Sequence, residues 1–307
     1  MAVIENLFSR SGLSLDRLRS FLAFAQAGSI ARAAPGDVNL QSQMSRQISE
    51  LETFFAAELT VRRGKTLTLS PAGQRLATLI REQLRDLDDF QCEQAQVKKA
   101  FTLGAGASIL DWLVLPVLGA IRDALDQATL RLETLRSLAS VEAVKDGRVD
   151  FIIVREDALP KNAKCKPLKR LTFHLCLSRR LLKRGKPTSA MDDPKVWQTL
   201  PFTAGRDGGQ LDLALRQAML DAGVDFHPVV ECNSMLQARQ LIERGECAGV
   251  LPSVGIHGLE AKGIIVREFA PLKNYGRHLV LHWNERQMRR RGVEEAAIKQ
   301  IASILSR

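Results

Sequence analysis

Gln41, Ser42, Gln43, Ser45 and Arg46 crowd the opening turns of one predicted helix. All five carry short or forked hydrogen-bonding groups. A carboxamide can pair with adenine through two hydrogen bonds, and a guanidinium with guanine. Such groups near a helix N-terminus suit that end for entry into the major groove of duplex DNA. Further on, Arg62, Arg63 and Lys65 flank Gly64 on a predicted tight turn. Cations on a turn meet phosphates, which gives affinity but not sequence choice. A Gln/Ser-rich helix face taken alone is usually just a solvated face. The two clusters acquire meaning from the elements that must hold them.

Leu15, Leu18, Phe21, Leu22 and Ala25 recur at helical spacing, after Ser14 as an N-cap and before Gly28 as a left-handed stop. A short helix from Ser29 over Ile30–Ala34 is broken by Pro35-Gly36-Asp37. The third helix, from about Leu40 to Ala56, buries Met44, Ile48, Leu51, Phe54 and Phe55 and leaves the polar cluster opposite. Two strand-like pieces, 59–62 and 66–69, surround the cationic turn. Helix, short helix, turn, longer helix and a two-stranded wing make a winged helix-turn-helix, whose partner is double-stranded DNA. Ser70-Pro71 then opens a long helix to about Ala95. Its stripe of Leu76, Ile80, Leu84, Leu87 and Phe90 calls for a partner. A second copy is the simplest one, so a homodimer or homotetramer is expected.

The blocks FLAFAQAGSIARAA, QSQMSRQISELE and LTVRRGKTLTLSPAGQRL, at their spacing, resemble the N-terminal region of LysR-type transcription regulators. The resemblance continues more weakly through EAVKDGRVDFIIV and VVECNSMLQARQLIERGECAGVLPS. Three positions depart from the family pattern. Asp37 stands where a Leu is common, Ala56 where Gly is usual, and Thr60 where Phe is usual.

After Lys98-Lys99, apolar runs alternate with helical stretches in a βαβ rhythm, which predicts mainly parallel sheets. Here the resemblance implies two α/β lobes like those of periplasmic binding proteins, joined by two crossing strands, with a small-molecule effector between them. The expected fold class is therefore α/β with three parts. Residues 1–70 form the winged helix-turn-helix DNA-binding domain, 71–97 a linker and dimerisation helix, and 98–307 an effector-binding domain. Ligands on open α/β sheets bind beyond the carboxyl ends of strands. That rule selects Ser108, Ser137, Thr203, Asn233 and Ser234 as effector-binding residues. The net charge is +10, and acidic and basic residues balance over 1–97, so the whole excess lies in the second half. Such a field favours an anion, a carboxylate above all, with Arg136 or Arg206 as counter-charge. Arg289, Arg290 and Arg291 are expected on the solvated surface.

The same sequence argues against other classes. At 307 residues, 45% apolar and 25% charged, the chain has the composition of a soluble globular protein of more than one domain. No apolar run approaches the ~20 residues of a membrane span. The opening MAVIENLFSRSG is a poor secretory signal, so the cytoplasm is the expected location. Cys92, Cys165, Cys176, Cys232 and Cys247 are scattered, and the five histidines show no metal spacing, so neither metal nor cofactor is expected. GAGASI at 104–109 lacks the third glycine of a dinucleotide turn. Ser108 has no visible nucleophile elbow. The chain is thus expected not to be an enzyme. The alternative is an α/β enzyme or small-molecule-binding protein with no gene-regulatory role, and sequence-specific binding to DNA separates the two.

Overall fold

The computed structural model describes residues 10–64, 66–182, 188–206 and 209–307. The chain divides into two compact units. The first comprises Met1–Lys99 with Glu142–Asp150 and Asn284–Gly292, and the second the remainder.

In the first unit, α1 (Leu15–Ala27) starts at Ser14, whose hydroxyl accepts from the Arg17 amide at 3.3 Å. It stops at Gly28, where φ is +73°. α2 (Ile30–Ala33) is one turn long. α3 (Val38–Phe55) begins two residues before the expected Leu40. Asp37 is the reason: its Oδ1 accepts from the Leu40 amide at 2.9 Å, an N-cap that the family's usual Leu could not supply. At the other end Ala56 takes a left-handed conformation, φ 48° and ψ 45°. That is the position at which the family usually places Gly.

Phe21, Phe24, Met44, Ile48 and Leu51 bury against Leu59, Ala77 and Ile80 in one core. The wing follows: β1 (Thr60–Arg63) pairs antiparallel with β2 (Thr66–Leu69), Thr60 opposite Leu69 and Arg63 opposite Thr66. α4 (Pro71–Gln94) starts at Ser70, whose Oγ accepts from the Gly73 amide at 2.9 Å and donates to the Glu58 carbonyl at 2.6 Å. Gly73 lies so close to the Leu59 carbonyl that a Cβ would meet its oxygen at 2.1 Å, which admits only glycine. The apolar stripe of α4 divides. Ile80 is buried and Leu76 and Leu84 pack on the helix-turn-helix core, whereas Leu87 and Phe90 are each 60% exposed and Leu79 52%.

The second half of α4 carries an ion cluster. Asp89 accepts from Nε and Nη2 of Arg291, both at 2.8 Å. The Nη1 of Arg291 donates to Asp150 at 2.8 Å. Asp150 also accepts from Gln287 Nε2 at 2.7 Å and from Arg85 Nη1 at 3.2 Å. Arg291 is only 4% exposed, so the expected solvated arginine run is corrected at this position. A guanidinium enters the interior when two carboxylates converge on it, and these come from residues far away in sequence. Burial pulls its pKa down, but the Asp89 hydrogen bonds and the charges of Asp150 and Asp89 prevail and raise it.

The second unit holds a five-stranded sheet in the order β4-β3-β5-β12-β6. β3 (Ala100–Ala105), β4 (Thr129–Thr134) and β5 (Phe151–Arg155) run parallel. β12 (Arg277–Trp283) runs antiparallel to both β5 and β6 (Cys165–Leu171). Beyond Thr172 the chain enters another sheet, in which β7 (Phe173–Ser178) lies antiparallel between β10 (Gly249–Pro252) and β11 (Ile264–Glu268). β8 (Thr203–Gly205) and β9 (Val230–Cys232) form a parallel pair, and a parallel bridge from Phe202 to Ala248 links them to β10. The chain thus crosses twice between two α/β lobes, after β6 and before β12. The expectation of mainly parallel sheets is corrected to mixed ones. The antiparallel pairs are β12 with β5 and β6, and β7 with β10 and β11; β12 re-enters the first sheet from the other lobe rather than through a βαβ crossover, so it is free to run the opposite way.

Candidate DNA-binding surface and effector cavity

On α3, Ser42, Gln43, Ser45 and Arg46 are exposed, as are Val38, Asn39 and Leu40 at the helix start. Burial of Met44, Ile48 and Leu51 turns this opposite face outward. Gln41 is half-buried, and its Nε2 donates to the Ala34 carbonyl at 2.7 Å. Its amide therefore ties α3 to the end of α2 and has only part of its hydrogen-bonding capacity left. The wing is anchored by Glu52, which motif and spacing did not single out. One oxygen, Oε1, accepts from the amides of Leu59 and Thr60 at 2.9 and 3.0 Å and from the Thr60 hydroxyl at 2.9 Å. A Phe at position 60 could not make the last bond, so the departure at Thr60 adds a polar tie between α3 and the wing. At the tip, Gly64 has φ +62° and Arg62 is exposed. The Arg63 backbone pairs with Thr66, and its side chain and all of Lys65 lie outside the described residues.

In the second unit, the ends of β8 and β9 converge. Thr203, Asn233 and Ser234 line one cavity of about 180 Å³ with Gly205, Arg206, Asp212, Cys232, Met235 and Val250. Thr203 is buried, its Oγ1 3.6 Å from Cys232 Sγ. Ser234 is the N-cap of α8 (Met235–Arg244). Ser108 sits in a one-turn helix, Ala107–Ile109, after β3, and Ser137 opens the helix Ser137–Lys145 after β4. Neither lines this cavity, so it gathers three of the five expected effector residues.

Asp212 belongs to α7 (Gln210–Asp221) and was not anticipated. An Asp in the first turn of a helix reads as ordinary dipole complementation. Here its Oδ2 accepts from Arg216 Nε at 3.0 Å, and Arg216 Nη2 continues to Glu231 at 2.7 Å. The hydrogen bond to Asp212, ahead of that to Glu231, raises the pKa of Arg216. Asp212 is 8% exposed, and its Oδ1 has no hydrogen-bond partner among the described residues.

The family model for the LysR substrate binding domain matches residues 94–297, and the model for the bacterial regulatory helix-turn-helix protein, lysR family, matches residues 15–74. The chain belongs to the LysR family. A probable nitrogen assimilation transcriptional activator of Synechococcus elongatus is 24% identical over 257 residues, 80% of each chain. The regulator PecT of Dickeya dadantii is 26% identical over 153 residues, so the match spans 48% of either protein. Among solved structures, full-length OxyR from Pseudomonas aeruginosa has a TM-score of 0.60 at 18% identity, covering 95% of this chain and 97% of that one. Full-length CbnR in complex with its target DNA has a TM-score of 0.55 at 18% identity, covering 94% and 100%. LysG from Corynebacterium glutamicum with bound Arg has a TM-score of 0.55 at 17% identity, covering 95% and 98%. This LysR-type chain is accordingly a DNA-binding transcription regulator with an effector-binding domain. Among the described residues no helix is long and apolar enough to cross a membrane.

Proposed function

We propose that this LysR-type regulator reads duplex DNA with Ser42, Gln43, Ser45 and Arg46 on α3. Gln41 contributes through its remaining carboxamide oxygen, and Arg62, Arg63 and Lys65 hold phosphates. The observation that carries this is the exposed polar N-terminal face of α3 beside a wing tied to the same helix by Glu52. The neighbour CbnR, which was solved on its target DNA, supports it. Residues 1–70 act as the DNA-binding domain, 71–97 as linker and dimerisation helix, and 98–307 as effector domain. The exposed Leu79, Leu87 and Phe90 of α4 pair two copies, in a homodimer or a dimer of dimers. Two-fold pairing gives a nearly palindromic operator. The protein works on the chromosome in the cytoplasm and catalyses no reaction.

The effector is a small molecule bearing a carboxylate. It binds at Thr203, Asn233 and Ser234, with Arg206 as counter-charge; Ser108 and Ser137, outside that cavity, would meet it only from the ends of β3 and β4. LysG, solved with an amino acid bound, supports a small-molecule site in this fold. Selection from randomised duplexes tests the regulator reading. An enriched, nearly palindromic motif is expected, and Arg46→Ala should cost about 1–3 kcal/mol at one base position. No enriched motif from the selection would refute it.

A further inference from the structure

The cavity beside β8 and β9 is not neutral in its chemistry. Most of its wall is apolar, with Leu211, Leu215, Met235 and Val250 among its lining. Asp212 also lines it, nine-tenths buried, with Oδ2 held by Arg216 and Oδ1 unmatched among the described residues. A carboxylate oxygen that has left water without gaining a donor is costly. What is missing is a donor, and a positively charged one makes the strongest match.

The cavity also suits a negative group. α7 is twelve residues long and begins at Gly209, which provides no side-chain cap. Its first amides have no partners within the helix. Gly209 and Arg206 both line the cavity, and the Arg206 side chain is exposed. Asp212 lies in this same first turn. Acceptor and donors are therefore close together, with apolar wall beyond them.

We infer that the effector is a zwitterion of the α-amino-acid class with a short aliphatic side chain, its ammonium on Asp212 and its carboxylate at the N-terminus of α7 and Arg206. This rests on the reading of the cavity as the effector site and deepens it: the anionic group alone does not satisfy the site. Adjacent ammonium and carboxylate groups match adjacent Asp212 and helix amides, and the aliphatic part covers the apolar wall.

Isothermal titration of the full-length protein with L-valine, isovalerate and isobutylamine tests it, since the three share one aliphatic skeleton. L-valine should bind, and each analogue that lacks one charged group should bind at least about tenfold more weakly. Asp212→Asn should weaken L-valine about 10- to 100-fold and bind isovalerate at least as tightly as the wild type does, since one neighbouring negative charge is gone. Three results overturn the inference: isovalerate binding as tightly as L-valine, Asp212→Asn binding L-valine like the wild type, or no heat with L-valine, L-alanine and L-leucine alike. Binding of a selected duplex, followed by fluorescence anisotropy, is measured on the same samples. Retained DNA binding without amino-acid binding overturns this inference alone, whereas absent DNA binding overturns the regulator reading.

Discussion

Replacing Arg291 with methionine removes a guanidinium but keeps much of its length and apolar volume. In the wild type, Asp89 and Asp150 have side chains only 8% and 2% exposed, and Arg291 supplies three hydrogen bonds to them, each 2.8 Å long. The variant leaves Asp89 buried without its two charged donors. Asp150 keeps Gln287 and Arg85 but loses the shorter of its two arginine contacts. Breaking a buried pair from one side costs about 3–5 kcal/mol, because the partner charge stays out of water uncompensated. At roughly 2–4 °C per kcal/mol this lowers the melting temperature by roughly 6–20 °C. Arg290 is the internal control. It pairs with Glu82 and Asp86 at 29% side-chain exposure, where solvent screens the charges. Arg290→Met should therefore cost no more than about 1 kcal/mol. A second control adds Asp89→Leu to Arg291→Met, which removes the stranded charge and should recover part of the loss. Differential scanning calorimetry at neutral pH reads all four proteins. An Arg291→Met protein that melts within about 1 °C of wild type, or a double variant worse than the single one, would refute the argument.

Other consequences are independent of that cluster. Ala56→Gly should stabilise the protein by about 1 kcal/mol, since a Cβ is disfavoured at φ 48° and glycine is not; urea unfolding measures it, and destabilisation would count against the left-handed cap. Glu52→Ala removes the acceptor of three donors at the root of the wing, so it should weaken binding to every duplex alike without changing the preferred motif, as a salt-titrated anisotropy series would show. His174 is half-buried, its Nε2 3.0 Å from Thr172 Oγ1, and burial lowers its pKa despite the opposing charge of Glu268. Below about pH 6.5 the unfolded chain then takes up the proton more readily than the folded one, so this contribution to stability is present above that pH and is lost as pH falls through the depressed folded value. His174→Gln should lose less stability than wild type across that window, and parallel pH–melting curves would contradict it.

Helix ends and helix faces were legible in the chain because they depend on neighbours a few residues away. Ser14 and Ser70 cap where spacing places them, Gly28 takes its left-handed turn, and Met44, Ile48 and Leu51 define one face of α3, which leaves Ser42, Ser45 and Arg46 outward. Asp37 was just as local, yet it read as part of a break and proved to be the cap of α3. The same locality put Asn233 and Ser234 just past the end of β9, whereas Thr203 proved to open β8 rather than follow it, and the three line one cavity. What tertiary structure alone decided is where buried polar groups find partners. Gln41 looks identical in type to Gln43, but the fold brings the Ala34 carbonyl to it and turns it inward. Arg291 is indistinguishable in sequence from its two basic neighbours, and only the arrival of Asp89 and Asp150 makes its burial affordable. Asp212 reads as a routine first-turn acid until the cavity wall closes around it. Periodicity and capping are written within one or two turns of chain, whereas the desolvation of a charge depends on partners that no local pattern encodes.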